Sequence, residues 1–296
     1  MKKYGALEAG GTKMVLAVID GEGQELDRQV LPTLTPDETM PKMIDFFGGK
    51  GIASLGIGCF GPLDLNPASA SYGRITRTPK LAWRGYQVLQ AFEQALSVPV
   101  RLDTDVNGAA LAEARLGAAR GLSSCLYLTV GTGIGGGLIV GGQPVHGLMH
   151  PEIGHLLLTP ETNDPAPAGF CPYHPHCAEG LASGPAIEKR WGVSAKELPK
   201  DHPAWALEAA YLAQLCADAM LAFSPEKIIL GGGVMHQAFL FPMIREKTVQ
   251  LLNGYIPVPA VEAGLRDYIV PTGLGDRSGI LGAWLLAKEA CGGQDL

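Results

Sequence analysis

No run of lysine or arginine occurs in this sequence of 296 residues, which carries 23 basic and 29 acidic side chains for a net charge of −6. An acidic chain without basic clusters excludes nonspecific binding to nucleic acid and to anionic membranes. No apolar stretch free of charge or punctuation reaches ~18 residues, so no transmembrane helix is expected. The start, Met1-Lys2-Lys3-Tyr4-Gly5-Ala6-Leu7-Glu8, has no long apolar core of a signal peptide, and a cytoplasmic protein is expected. No G-X-Y period occurs, which excludes collagen. No G-x-x-x-x-G-K-[ST] stretch occurs either, which excludes a P-loop kinase.

What is abundant is glycine, with 40 residues beside 22 prolines. The glycines cluster at Gly10-Gly11, Gly131 to Gly137, Gly141-Gly142 and Gly231 to Gly233. Clustered glycine in a chain that is 47% hydrophobic asks for bare backbone at chosen places. Tyr4 to Leu7 and Met14 to Ile19 read as two strands around Glu8 to Lys13, with Glu25 to Leu31 as a third. A helix from Pro36 to Phe47, a strand from Ala53 to Cys59, a helix from Tyr86 to Leu96 and a strand from Val98 to Leu102 follow. A helix then runs from about Asn107 to Leu116. The second half repeats the theme. Ser124 to Val130 and Leu138 to Val140 flank glycines, and Trp205–Phe223, Phe239–Leu252 and Ser278–Ala290 read as helices. The pattern predicts an α/β protein of two related domains with a cleft between them. The boundaries expected are a smaller domain over 1–117, completed by a C-terminal helix over 277–296, and a larger one over 118–276.

Three glycine segments are candidate phosphate or nucleoside contacts. In the first, Gly10, Gly11, Thr12 and Lys13 combine bare N–H groups, a hydroxyl and a charge. The second, Gly131-Thr132-Gly133-Ile134-Gly135-Gly136-Gly137, contains G-x-G-x-x-G, with Glu152 about twenty residues on. A dinucleotide site needs a helix after that loop, whereas Leu138-Ile139-Val140 reads as a strand, so the match is a decoy for that use. The third, Gly231 to Gly233, ends the strand Lys227–Leu230. Asp105-Val106-Asn107 lies between a strand end and a helix start. Asp105 suits an N-cap or, at the carboxyl end of a strand, a general base with Asn107 orienting a hydroxyl.

Five of the seven histidines fall between positions 146 and 176. Cys171-Pro172-Tyr173-His174-Pro175-His176-Cys177 puts soft and borderline ligands on one short loop, and His155 can supply a fourth for a closed tetrahedral zinc site. His174 and His176 compete for one place. Such a site holds a Pro-rich loop together and does no chemistry itself. Glu152 and Glu179 flank the segment, where they could aim carboxylates at sugar hydroxyls.

Together these stretches resemble the ROK family of sugar kinases, of the actin/hexokinase (ribonuclease H-like) fold, over positions 5 to about 285. Glu8 to Lys13, Thr76-Arg77-Thr78-Pro79-Lys80, Cys171 to His174 and Glu179 to Ala186 resemble its bacterial fructokinase branch. The resemblance implies Asp105 as catalytic base and Asn107, Glu152, His155 and Glu179 as sugar contacts, with the Gly61-Pro62 loop closing over the sugar. It also implies Gly10 to Lys13 and Gly131 to Gly133 as phosphate loops, Gly231 to Gly233 as the adenosine motif, and His155, Cys171, His174 and Cys177 as zinc ligands. Glu8 stands where the wider family has Asp, one His replaces a Cys in the metal loop, and Ala112 replaces a common Gly. The implied reaction is ATP-dependent phosphorylation of D-fructose at its 6-hydroxyl, with Mg²⁺ accompanying ATP, Glu8 an indirect anchor for it through water, and the protein a homodimer. Other readings are a kinase for mannose or glucose, or a non-catalytic sugar-binding regulator. DNA-binding members carry a helix-turn-helix before the first glycine loop. Only seven residues precede Glu8 here, so none is expected.

Overall fold

The computed structural model describes residues 2–292. In chain order the first elements are β1 (Lys3–Ala9), β2 (Lys13–Asp20), β3 (Glu25–Pro32), α1 (Pro36–Phe47), β4 (Ile52–Cys59), α2 (Val88–Leu96), β5 (Val100–Thr104) and α3 (Asp105–Arg115). There follow β6 (Cys125–Val130), β7 (Ile134–Val140), β8 (Gln143–Pro144), α4 (Ala178–Ala182), α5 (Gly184–Trp191) and α6 (Ala204–Phe223). The last are β9 (Ile228–Gly231), α7 (Leu240–Leu252), α8 (Pro259–Glu262), β10 (Ile269–Pro271) and α9 (Ser278–Ala290). The chain divides into two units, one of 1–117, 143–151 and 277–296, the other of 118–142 and 152–276. Residues 143–151, which chain order alone would assign to the second domain, cluster with the first.

The two sheets have matching orders, β3-β2-β1-β4-β5 and β10-β9-β6-β7-β8, the second read from its opposite edge. In the first sheet β1 pairs antiparallel with β2 and parallel with β4. Correspondingly, β6 pairs antiparallel with β7 and parallel with β9. Each unit therefore begins with a tight glycine hairpin and continues with parallel strands, whose carboxyl ends gather ligands in such sheets.

In the first unit Leu7, Met14, Leu16, Leu55 and Ile57 pack with Phe47 and Phe92, whose rings meet edge to face at 6.5 Å. α9 lies close against β4 and α3 because glycine removes the side chains between them. A Cβ on Gly56 would fall 1.9 Å from the Ala283 carbonyl oxygen, and one on Gly282 would fall 2.0 Å from that of Gly108. In the second unit α6 is long and apolar enough to cross a membrane by length and composition, yet 67% of that window is buried within the protein. The Pro-rich stretch before α4 has little apolar core. A buried polar knot fastens it, with Arg190 Nε donating to Asp164 Oδ1 at 2.8 Å and Tyr211 Oη to Asp164 Oδ2 at 2.6 Å.

Three expectations change. α3 starts at Asp105 and is capped by Thr104, whose Oγ1 accepts from the Asn107 N–H at 3.1 Å. Asp105 is therefore not the N-cap; it occupies the first helical position. β5 ends two residues later than expected, at Thr104. β7 begins at Ile134, so Gly135 to Gly137 are strand residues and not loop. Gly136 is bare for packing, since a Cβ on it would lie 2.9 Å from Ile153.

Candidate functional site

The first unit carries Asp105, Asn107, the 10–13 loop and the 61–63 loop. Parallel pairing of β4 with β5 brings Gly58 opposite Asp103 and Cys59 opposite Thr104. A Cβ on Gly58 would be 3.3 Å from the Asp105 Cα, so glycine there lets the head of α3 sit against the strand end. Asp105 is partly buried. Burial raises its pKa to about 6, against the opposing effect of the backbone N–H groups of Val106 and of Asp105 itself. A carboxylate so tuned is mostly ionised at neutral pH and still basic enough to take a hydroxyl proton.

Asn107 is buried two residues on, its Nδ2 donating to Asp103 Oδ1 at 2.8 Å. The 61–63 loop is held from two sides. Thr76 N–H donates to the Pro62 carbonyl at 2.8 Å, and Leu63 N–H donates to His150 Nε2 at 3.1 Å. A Cβ on Gly61 would be 3.3 Å from the His150 ring. Histidine 150 thus lies directly under the loop that sequence resemblance assigns to the sugar.

The first glycine loop closes β1 onto β2. Gly10 N–H donates to the Lys13 carbonyl at 3.0 Å, and Thr33 Oγ1 donates to the Gly10 carbonyl at 2.8 Å. Thr12 and Lys13 stay exposed at its tip. Lys80 reaches this loop. Its Cε would be 3.6 Å from a Cβ on Gly11. In the sequence Lys80 stands out only as part of a fructokinase-like stretch, and nothing local reveals that it crosses to the first hairpin. Glu8, on β1, lies against the head of α9, its carboxylate within 2.4–2.8 Å of where a Cβ on Gly279 would be.

The second unit carries the other candidates. Gly131-Thr132-Gly133 makes the turn between β6 and β7, with Gly131 N–H donating to the Gly133 carbonyl at 2.9 Å. The Gly131 carbonyl accepts from Gly184 N–H, at the start of α5, at 2.8 Å. Gly231 ends β9, and Gly232 takes a φ of 89° with its missing Cβ 2.5 Å from the Val130 carbonyl oxygen, which no larger residue allows. Gly233 is exposed with open space beside it.

Glu152 is exposed just before a short 3₁₀ turn at Ile153–His155. Gly154 is bare because the Ile134 carbonyl oxygen lies 1.8 Å from its would-be Cβ, seating the turn on β7. That places His155 beside the Cys/His loop. His155, Cys171, His174 and Cys177 bring one ligand atom each to within 4.8 Å of one another. Cys171 Sγ is 3.9 Å from His155 Nδ1 and 3.8 Å from His174 Nδ1, and Cys177 Sγ is 3.6 Å from His155 Nδ1. A tetrahedron with Zn–S of about 2.3 Å and Zn–N of about 2.1 Å has edges near 3.4–3.8 Å, so the four donors fit zinc. His176 turns elsewhere, with a φ of 63° and its Nδ1 2.7 Å from the Pro167 carbonyl. Because His155 uses Nδ1 toward the sulfurs, its Nε2 faces the opposite side of the ring. Glu179 follows in the first turn of α4, and its Oε2 accepts from the Ile134 N–H at 3.0 Å.

Known proteins resemble this chain over nearly its whole length. Residues 4–290 match the ROK family. The chain is 46% identical to a fructokinase of Pediococcus pentosaceus, covering 97% of this chain and 98% of that one. It is 44% identical to a fructokinase of Zymomonas mobilis, covering 98% and 97%. Among solved structures it resembles a ROK hexokinase from Thermus thermophilus, with a TM-score of 0.78, 31% identity, and 97% and 98% of the two chains covered. Paired glycine hairpins, an acid at the head of α3 and a match over nearly the whole length agree, and the chain belongs to the ROK family.

Proposed function

We propose that this protein transfers the γ-phosphoryl group of ATP to the 6-hydroxyl of D-fructose, with Asp105 as general base. The observation that carries this reading is the Asp105 carboxyl at the start of α3, its pKa raised by burial to about 6. Identity of 44–46% to two fructokinases over nearly the full length supports fructose as the sugar.

In this reading Asp105 accepts the proton as the sugar oxygen attacks phosphorus in line, and the leaving ADP departs with Mg²⁺. Phosphoryl transfer asks mainly for alignment and charge neutralisation. Backbone N–H groups of the 10–13 and 131–133 turns hold phosphate oxygens, Lys13 and Lys80 add positive charge, and Gly231 to Gly233 admit the nucleoside against bare backbone. Asn107, Glu152, His155 and Glu179 bind sugar hydroxyls, and the Gly61-Pro62 loop is a further sugar contact. Glu8, engaged beside Gly279, acts on the metal of MgATP only through water.

His155, Cys171, His174 and Cys177 would hold Zn²⁺, which would cross-link the loop. The same contacts that would fix His155 Nδ1 orient its Nε2 for a hydroxyl. A need for ATP suits the cytoplasm, and a homodimer is the assembly we propose. A coupled assay of ADP release with fructose, mannose and glucose tests the reading. Fructose should give the highest kcat/KM; ADP release unaffected by any sugar would overturn it.

A further inference from the structure

Asn107 holds a polar atom that the protein leaves unanswered. Its side chain is buried, with 1% of the residue exposed, and its Oδ1 has no hydrogen-bond partner among the described residues. Its Nδ2 is bound, donating to Asp103 Oδ1 at 2.8 Å. An ionised carboxylate can only accept, so a reversed amide would set two oxygens against each other. Asp103 therefore dictates which end of the Asn107 amide points outward.

Asp103 is itself fixed. It is buried at the end of β5, where Oδ1 also accepts from the Thr104 N–H at 2.7 Å. His146, from the 143–151 segment that returns to this unit, places Nε2 3.2 Å from Asp103 Oδ1 and 3.1 Å from Oδ2. The Pro144 carbonyl hydrogen-bonds the same imidazole. The Asp103 hydrogen bond raises the His146 pKa, against burial and the charge of Arg101, and His150 is the other titratable neighbour. A histidine donating to both carboxylate oxygens stops Asp103 from rotating away from Asn107.

We propose that Asp103 and His146 are positioning residues for sugar recognition, locking the Asn107 amide so that its Oδ1 accepts a hydrogen bond from one hydroxyl of the bound hexose. A buried acceptor two residues from Asp105 and without a protein donor calls for a donor supplied by ligand, and a sugar hydroxyl is such a group. The inference rests on the reading of this site as a hexose site, but not on which hexose is used. Neither Asp103 nor His146 touches the sugar; both act through Asn107.

Steady-state kinetics with the best hexose and its monodeoxy analogues tests this on wild type, Asp103→Asn, His146→Leu and His146→Gln. In Asp103→Asn the new amide can pair with either end of Asn107. Its KM for the sugar should rise ~10-fold or more while KM for ATP stays within ~2-fold, the size expected for one misaligned buried hydrogen bond. One deoxy analogue that wild type discriminates against should lose most of that penalty in the variant. His146→Leu should act in the same direction, and His146→Gln, which keeps an N–H donor, should restore much of the loss. His146 is partly exposed, so its variants keep the test decisive if Asp103→Asn does not fold. Unchanged sugar KM in both, equal rises in both KM values, or a deoxy profile identical to wild type would overturn the proposal. Lack of turnover by wild type with every hexose would instead overturn the kinase reading.

Discussion

The carboxylate of Glu179 is tied to the second glycine turn: Oε2 accepts the Ile134 N–H at 3.0 Å, and a Cβ on Gly133 would lie 2.4 Å from the same oxygen. Glu179 sits in the first turn of α4, whose N-cap is Cys177. The Cys/His loop and the 131–133 turn thus share one acid. Gly133→Ala should push Glu179 out of place and lower kcat/KM by about 10-fold or more, since small displacements of positioning groups are costly. The thermal midpoint should barely move. Activity within twofold of wild type would show that the contact is dispensable.

Lys80 packs its Cε over Gly11. Lys80→Met keeps an apolar stem of similar length and removes only the charge. If the ammonium neutralises phosphate in the transition state, kcat should fall by about 10², with sugar KM little changed and partial recovery in Lys80→Arg. A kcat that survives the methionine would reduce Lys80 to a packing role.

Metal content separates the two histidines of the loop. His174 Nδ1 faces Cys171 Sγ, whereas His176 Nδ1 faces the Pro167 carbonyl. Elemental analysis of purified protein should find about one zinc per chain. His174→Ala should lose it and His176→Ala should keep it. Chelation should lower the thermal midpoint, and added zinc should restore it.

If Asp105 is the general base, its titration sets the acid limb of the pH profile. Its folded pKa of about 6 lies above its unfolded value, so the protonated acid favours the folded state. The stability penalty is absent below the unfolded pKa near 4, grows between pH 4 and 6, and persists above. At pH 7, Asp105→Asn should therefore stabilise the protein, by on the order of 2 kcal/mol after allowing for partial solvation. That gain should vanish at pH 4. Catalysis has the opposite sign, with kcat/KM falling tenfold per pH unit below about 6 as the base is protonated.

Much of this was legible in the sequence because the hairpins, the strand-end acid and the Cys/His loop are local patterns. Thr104, Asp105 and Asn107 lie within one helical turn, and spacing alone brings them together. What was illegible depends on distant partners. Gly135 to Gly137 look like more of a phosphate loop, yet Gly136 is bare for Ile153; Gly56 and Gly282 are bare for the backbone of α9 and α3. His146 and His150 read as members of a histidine-rich segment. Their partners, Asp103 and Leu63, are 43 and 87 positions away and meet them only after 143–151 folds back onto the first unit. Asp105 suits an N-cap by residue type, but Thr104 suits it equally and takes the place because the strand runs to Thr104.

Whether Asp105 takes the proton from the sugar hydroxyl is decided by the kcat of Asp105→Asn, measured alongside calorimetric sugar binding. A kcat lower by about 10² or more is expected, with the sugar Kd within a few-fold of wild type. A kcat near that of wild type in a variant that still binds sugar would contradict it.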